Sequence, residues 1–441
     1  MRRRLLTAFD PVISTTTLAL IAIGILFVYS SNVNASGVMV SREAVKQVIW
    51  AVLGIGVMLF FTFFGYARLR ALSLAIYAGN LLLLLFTLIF GTEVNGARSW
   101  LGFWELGIQP SEFMKISTIL FLGTYFTGIG NGVRELPRFL LGLLIILVPI
   151  GLILLQPDLG TALVLVPVFL FMAFIAGADA THLWFIVAVG VLALVLAAVP
   201  SLRARSGATP ASFLAVVSDP DTLKYLIFAA FVVAALAALG FRSFRRRHFF
   251  WIAWTAAAFI LGAAFSLLIR AVLKEYQIMR LVIFVNPRLD PQGAGWNIIQ
   301  SVTAIGSGGL FGKGYLRGTQ SHYQFLPQQS TDFIFSILAE EWGFLGALVV
   351  FGLFVVLLLR GMSVVWSAKE DYATLVGTGI LTMMFFHLLV NTGMAMGIMP
   401  VTGIPLMLLS YGGSSLWTAM SGIGIILNIR GRRARRGPGD S

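Results

Sequence analysis

The chain has 441 residues, is 58% hydrophobic, only 11% charged and free of cysteine. With a mean hydropathy of +0.92, it reads as a polytopic helical membrane protein, and disulfides and thiolate metal sites are excluded. The net charge of +13 would suit a nucleic-acid partner, but the basic residues lie mostly between apolar runs, where they set orientation in a membrane.

Apolar runs recur from end to end. The first, at 13–31, follows Arg2, Arg3 and Arg4; no small-residue cleavage site comes after it, so it is expected to stay as a span. Runs at 44–65 and 69–90 are joined by a turn with Arg68 and Arg70. A loop at 91–110 carries most of GARSWLGFWELGIQPSE, and a fourth span follows at 111–127. After a basic turn at 130–138 come spans at 139–155, 162–175 and 183–199, the first of them ending in QPDLGT.

Beyond a polar stretch, two apolar runs at 225–240 and 248–271 flank FRSFRRR and form a helical hairpin with a basic tip. A long loop is expected at 274–331, then spans at 333–359, 372–396 and 404–429. The fold class is therefore all-α, a membrane helical bundle of about 12 spans. The chain reads as one integral membrane domain over 1–429, with a hairpin region at 200–271, an extracellular loop at 274–331 and a basic cytoplasmic tail at 430–441.

Charge tests that topology. With the N-terminus in the cytoplasm, every short loop with an arginine cluster falls inside, as do more than half of the 31 Lys and Arg, as the positive-inside rule requires. Both termini are then cytoplasmic. The outer loop before Asp332 carries cations of its own, which points to an anionic substrate.

Asp332 sits where a Gln- and Ser-rich segment meets an apolar helix pattern, with Ser336 and Glu340 following at spacings of four. Ionisable groups at a membrane edge are functional candidates, and the competing account is capping by Ser330, Thr331 and Asp332. Glu112 and Lys115, three apart, can pair on one helix face; the competing account is an interfacial ion pair with a snorkelling lysine. Asp158 in QPDLGT is either presented outward or a helix cap. The glycine runs GAGWNIIQS and AIGSGGLFGKG can cradle phosphate through backbone N–H groups, or serve only as flexible loop, and no nucleotide P-loop pattern is present. Pro400, Pro405 and the Gly412–Gly413 pair are expected to break or kink the last span. His387 and Asn391, four apart, read as satisfied core residues.

These motifs together resemble one family. QPSEFMK, QPDLGT, YQIMR, NPRLDP, GAGWNIIQS, AIGSGGLFGKG, GTQS, STDFIF, AEEWG and LSYGGSS run in the order of the SEDS family, whose branches are RodA, FtsW and SpoVE. GTQS and GIMPVTGIPL look more like the RodA branch than the FtsW branch. Members typically have ten spans, so the hairpin is an addition to the pattern.

The resemblance implies a peptidoglycan glycosyltransferase that polymerises lipid II, the undecaprenyl diphosphate-linked disaccharide-pentapeptide, on the outer face of the bacterial cell membrane, for elongation and cell shape. It implies a class B penicillin-binding protein transpeptidase and other elongation-complex proteins as partners, contact with membrane lipids, and no nucleic acid. It makes Asp332 the essential acidic residue, here the general base. Lys115, Glu112, Arg98, Gln109, Asp158, Arg280 and Lys313 carry over as substrate-binding residues, the cations facing the diphosphate. No cofactor is certain; a divalent cation, Mg or Mn, sharing that task stays open. The alternatives are an FtsW-like division polymerase and a flippase or transporter of lipid-linked precursors, although no clear internal repeat of the transporter kind is present.

Overall fold

The computed structural model describes residues 10–94, 97–102, 107–206, 219–272, 275–293, 295–323 and 325–433. Among them run helices α1 (Pro11–Ser31), α2 (Glu43–Phe63), α3 (Tyr66–Phe90), α4 (Pro110–Ile129), α5 (Leu136–Leu155), α6 (Leu159–Ile175), α7 (Ala180–Ser206), α8 (Pro220–Phe244), α9 (Arg247–Val272), α10 (Glu275–Val285), α11 (Trp296–Gly308), α12 (Thr319–His322), α13 (Ile334–Trp366), α14 (Asp371–Ala395) and α15 (Gly413–Arg433). A short antiparallel hairpin, β1 (Thr92–Val94) with β2 (Ala97–Trp100), lies between α3 and α4. Arg2, Arg3 and Arg4 and most of the basic tail fall outside the described residues.

Ten of the described helices are long and apolar enough to cross a membrane: α1 to α5, α7 to α9, α13 and α14. The chain is a multi-pass membrane protein. Each of the twelve expected runs contains a described helix, but α6, with 17 residues, and α15 do not reach that measure. The last helix opens at Gly413, well after the expected start at 404. Pro405 and the backbone of Gly412, at φ 150, keep 401–412 irregular. Irregular backbone is tolerated inside a membrane protein only where its polar groups find partners. Here the Gln47 side chain donates to Ser410 O at 3.2 Å and accepts from Gly412 N at 3.2 Å, while Ser410 Oγ accepts from Leu406 N at 2.8 Å.

The chain divides into two compact units, Met1–Gly177 with Asn297–Ser441, and Ala178–Trp296. In the first, α14 is the most enclosed of the candidate spans and packs against α4, α6, α13 and α15. Small residues bring neighbours close: a Cβ on Gly160 of α6 would sit 2.7 Å from Thr402 O, and one on Gly24 of α1 2.7 Å from Leu409 O. Both contacts hold the irregular 401–412 segment against the bundle. The second unit packs α9 against α7 and α8, around Leu196, Val199, Leu223 and Ala263.

The stretch expected as a loop at 274–331 is largely folded. α10 buries Ile278, Met279, Val282 and Ile283, an amphipathic pattern interrupted by Arg280. α11 buries Ile298, Ser301, Ala304 and Gly308, a stripe of mostly small residues that reads as loop composition in the sequence. The glycine run after α11 is also ordered by pairing. α13 breaks at Gly343, whose φ of 67 and ψ of −164 are non-helical. Phe344 N and Leu345 N turn away to Gly309 O and Leu310 O, and the freed carbonyls of Glu340 and Glu341 accept from Lys313 N and Gly314 N. The glycine loop is spliced into the broken helix.

Candidate active site

Lys115 and Glu112, one turn apart on α4, face each other with the ammonium 2.8 Å from the carboxylate, both groups buried. A wholly buried lysine needs more than one partner. The second is His387 of α14, whose Nε2 lies 3.0 Å from Lys115 Nζ. The other ring nitrogen, Nδ1, is 2.9 Å from Pro405 O. With a carbonyl at one nitrogen and an ammonium at the other, the ring is neutral, protonated on Nδ1, and accepts from Lys115. Two of the three ammonium hydrogens are thereby assigned.

One turn further along α14, Asn391 donates from its side-chain amide to Asp332 O at 2.9 Å and to Ile404 O at 2.8 Å. Asp332 lies in the turn before α13, where Phe333 occupies the N-cap. It is thus one residue outside the cap position and off the helix, so it does not continue the helical spacing of Ser336 and Glu340. The same turn is held from the other side, where Tyr411 N donates to Ser330 O at 2.9 Å. SYGGSS and STDFIF are therefore neighbours.

The third motif joins through Gln109 and Asp158. Gln109 Nε2 donates to Asp158 Oδ2 at 2.7 Å, and Ser111 Oγ donates to the same oxygen at 3.1 Å. Asp158 Oδ1 caps α6 by accepting from Thr161 N at 3.1 Å. Gln109 N donates to Ser414 Oγ at 2.9 Å, which links QPSE to SYGGSS. The motifs at 109–115, 156–161, 330–335 and 404–415 thus meet around α14 through direct hydrogen bonds.

The comparisons with known proteins fit this arrangement. The FtsW/RodA/SpoVE family model, described as cell cycle protein, matches residues 11–235 and 206–435. The chain is 48% identical over 439 residues to the peptidoglycan glycosyltransferase RodA of Treponema pallidum, covering 98% of this chain and 100% of that one. It belongs to the FtsW/RodA/SpoVE family. It is also 32% identical to the stage V sporulation protein E of Bacillus subtilis, over 96% of this chain and 97% of the relative. Among solved structures it resembles one described as structural coordination of polymerization and crosslinking by a peptidoglycan synthase complex, with a TM-score of 0.66 and 27% identity over 97% of this chain and 99% of the other. It also resembles the rod shape determining protein RodA of Thermus thermophilus, with a TM-score of 0.60 and 25% identity over 97% and 98% of the two chains.

The remaining candidates of this family member fall elsewhere. Arg98 is exposed on β2, paired in register with Glu93 of β1. Arg280 lies in the second unit, its guanidinium 5.6 Å from the Tyr276 ring centre. Lys313 is engaged: its ammonium is 2.7 Å from Glu340 Oε1 and donates to Thr319 Oγ1 at 2.7 Å. Glu340, buried, also accepts from Thr319 N at 2.8 Å and Gln320 N at 3.1 Å, so GTQS and AEEWG form a second polar cluster with the glycine loop. Its neighbour Glu341 accepts from Ser30 Oγ at 2.5 Å and lies 3.7 Å from His322 Nε2. Burial, then the charge of Glu341 and the proximity of Tyr29, push Tyr315 up to about 12, so its hydroxyl remains a donor, to Leu26 O at 2.9 Å.

Among the described residues no group of three His, Asp or Glu is placed to hold a metal ion. His387, Asn391, Ser414 and Glu340 are the polar residues whose importance the sequence understated. The four-residue spacing of His387 and Asn391 was visible, but only the fold shows what each touches.

Proposed function

We propose that this chain polymerises lipid II at the outer face of the cell membrane for cell elongation, with Asp332 as general base and Lys115 facing the diphosphate. The chain is a peptidoglycan glycosyltransferase; what carries this is the 48% identity over the whole of a relative of that name. The RodA name of that relative, at 48% against 30% for an FtsW relative over similar coverage, favours elongation over division.

In the reaction, a sugar hydroxyl oxygen bonds to the anomeric carbon of a lipid diphosphate sugar. The bond from that carbon to the diphosphate oxygen breaks, the hydroxyl proton goes to the Asp332 carboxylate, and the polyprenyl diphosphate leaves with the electron pair. A hydroxyl is a poor acid, so its proton moves late, in step with C–O cleavage. Charge then grows on the leaving diphosphate, where a fixed ammonium in a dry site stabilises it strongly. Lys115 suits that task because Glu112 and His387 occupy two of its donors and immobilise it. A guanidinium offers a bidentate fork to phosphate, which gives Arg98 and Arg280 roles in approach of the anionic substrate. Lys313, held by Glu340, acts in this reading by ordering the loop before Asp332. Gln109, Glu112 and Asp158 shape the site beside it.

The partner in this reading is a class B penicillin-binding protein, which crosslinks the glycan; the similarity to a chain of a peptidoglycan synthase complex supports it. Both termini and the Arg242–Arg247 tip face the cytoplasm. Purified chain incubated with lipid II, any transpeptidase blocked by a β-lactam, is expected to yield glycan polymer. A chain that moves lipid II between leaflets of a vesicle and makes no polymer belongs to the transporter class instead.

A further inference from the structure

The face of α14 next to the site carries two polar side chains one turn apart, each bound to a different working part. His387 accepts from the Lys115 ammonium at 3.0 Å, and Asn391 donates to Asp332 O at 2.9 Å. Each has a second bond to the same irregular segment: His387 Nδ1 to Pro405 O at 2.9 Å and Asn391 Nδ2 to Ile404 O at 2.8 Å. Adjacent residues of a proline-locked stretch thus fix both side chains from behind. Both are almost wholly buried in the most enclosed helix of the bundle.

We propose that His387 and Asn391 are positioning residues that set the distance between the Lys115 ammonium and the Asp332 turn, α14 serving as the ruler between cation and base. This rests on the reading of Lys115 and Asp332 given above. Four residues of helix rise place the two anchors about 6 Å apart along the axis. Base and leaving group in a glycosyl transfer lie on opposite sides of one anomeric carbon, so a rigid spacing of that order matters to the rate. Neither residue needs to touch substrate. A satisfied core histidine would also be hydrogen-bonded, but any two buried partners would serve that purpose. Here the partners are the site's lysine and the backbone of its aspartate.

The chemistry makes the pair separable. His387→Phe keeps a flat ring and removes both nitrogens, freeing Lys115 to turn wholly toward Glu112. His387→Gln keeps an oxygen that accepts from the ammonium. Asn391→Leu keeps the shape and releases Asp332 O and Ile404 O. Misplacement of a catalytic group by about 1 Å costs on the order of 10²-fold. His387→Phe and Asn391→Leu are therefore expected to lower kcat for lipid II polymerisation about 10²-fold, with KM little changed and lipid II binding retained.

The deciding experiment is a double-mutant cycle with purified full-length chain, lipid II as substrate, and thermal melting in detergent recorded for each variant. On a Lys115→Met background, His387→Phe is expected to add little further loss, because it acts through the lysine. His387→Gln alone is expected to recover most of the kcat that His387→Phe loses, which a purely volumetric role would not produce. Wild-type kcat in His387→Phe, or a full additive loss on top of Lys115→Met, overturns the proposal while leaving the assigned activity intact. If Lys115→Met itself polymerises normally, the role of the lysine falls first and the proposal with it.

Discussion

Gln109 donates its side-chain amide to the Asp158 carboxylate at 2.7 Å, tying the entry to α4 to the entry to α6. The other Asp158 oxygen is spent on Thr161 N, so both oxygens have partners inside the protein. A carboxylate committed in this way acts as a brace. Asp158→Asn is expected to keep stability and polymerisation near wild type, since Asn caps helices well and Gln109 can flip to present its oxygen to the new amide. Asp158→Ala is expected to lose about 1–2 kcal/mol of stability, the ordinary cost of a lost cap. Thermal melting and lipid II turnover of both variants check this, and a large activity loss in Asp158→Asn alone would show that the charge is used on substrate.

Asp10 does comparable work at the start of α1. It is buried, caps α1 through Val12 N and Ile13 N at 2.9 and 3.2 Å, and pairs with Arg360 of α13 at 2.8 Å and with Arg430 of α15. One carboxylate thus joins three helices. Removing one partner of a buried pair leaves the others uncompensated and costs about 3–5 kcal/mol when the pair is fully dry. Both arginines are partly exposed, so Asp10→Asn is expected to cost less, roughly 1–3 kcal/mol. A lower detergent melting temperature with unchanged kcat in the folded fraction is the predicted signature. Unchanged melting would mean that the staple contributes nothing.

The break in α13 gives a sharper structural test. Gly343 holds a positive φ of 67, and a Cβ there would sit 2.7 Å from Leu310 O, a backbone atom that cannot swing away. Gly352, further along the same helix, has open space around its missing Cβ. Gly343→Ala is expected to destabilise by at least about 2 kcal/mol and to release the glycine loop with Lys313. Gly352→Ala is expected to be neutral or stabilising by roughly 0.5–1 kcal/mol. Equal melting temperatures for the two variants would remove the splice from the account of the fold.

The sequence was most informative where the physics is one-dimensional. Runs of apolar residues need no partner to be read, and the helices between Pro11 and Phe90 lie where hydropathy places them. Motif order was legible for the same reason. The polar loop before Asp332 was not, because its helices bury small residues such as Ser301 and Ala304, and its turns are ordered by the broken carbonyls of Glu340 and Glu341. Both depend on contacts distant in the chain. Lys313 pairs with Glu340, 27 residues away, a contact that its own stretch of sequence does not announce. His387 looked inert since Lys115 is 272 residues away.

Orientation can be read with single cysteines, because the chain has none. Ser243 is exposed between Arg242 and Arg245 at the α8–α9 tip, and Ser36 is exposed in the turn between α1 and α2. The positive-inside rule places the first in the cytoplasm and the second outside. In intact cells a membrane-impermeant maleimide is expected to label Ser36→Cys and to spare Ser243→Cys until the membrane is permeabilised. The reverse pattern would invert the topology and put the proposed site on the wrong face for lipid II.

The most direct prediction concerns Asp332. Phe333 holds the N-cap of α13, and the bond that Asn391 makes is to the Asp332 main chain. Asp332→Asn keeps the shape of the side chain, the Phe333 cap and the main-chain bond to Asn391, while removing the ability to accept a proton. If the carboxylate is the base, the polymerisation rate should fall by about 10²–10⁴-fold, the usual contribution of a positioned acid–base group. Lipid II binding should persist, because the cations proposed to face the diphosphate are untouched, and the melting temperature should hardly move. If Asp332 serves only the local backbone, Asn substitutes at no cost to either. Glycan synthesis at the wild-type rate by purified Asp332→Asn, measured with the transpeptidase blocked by a β-lactam, would reject the residue as the base and leave Lys115 and Glu112 as the first place to look.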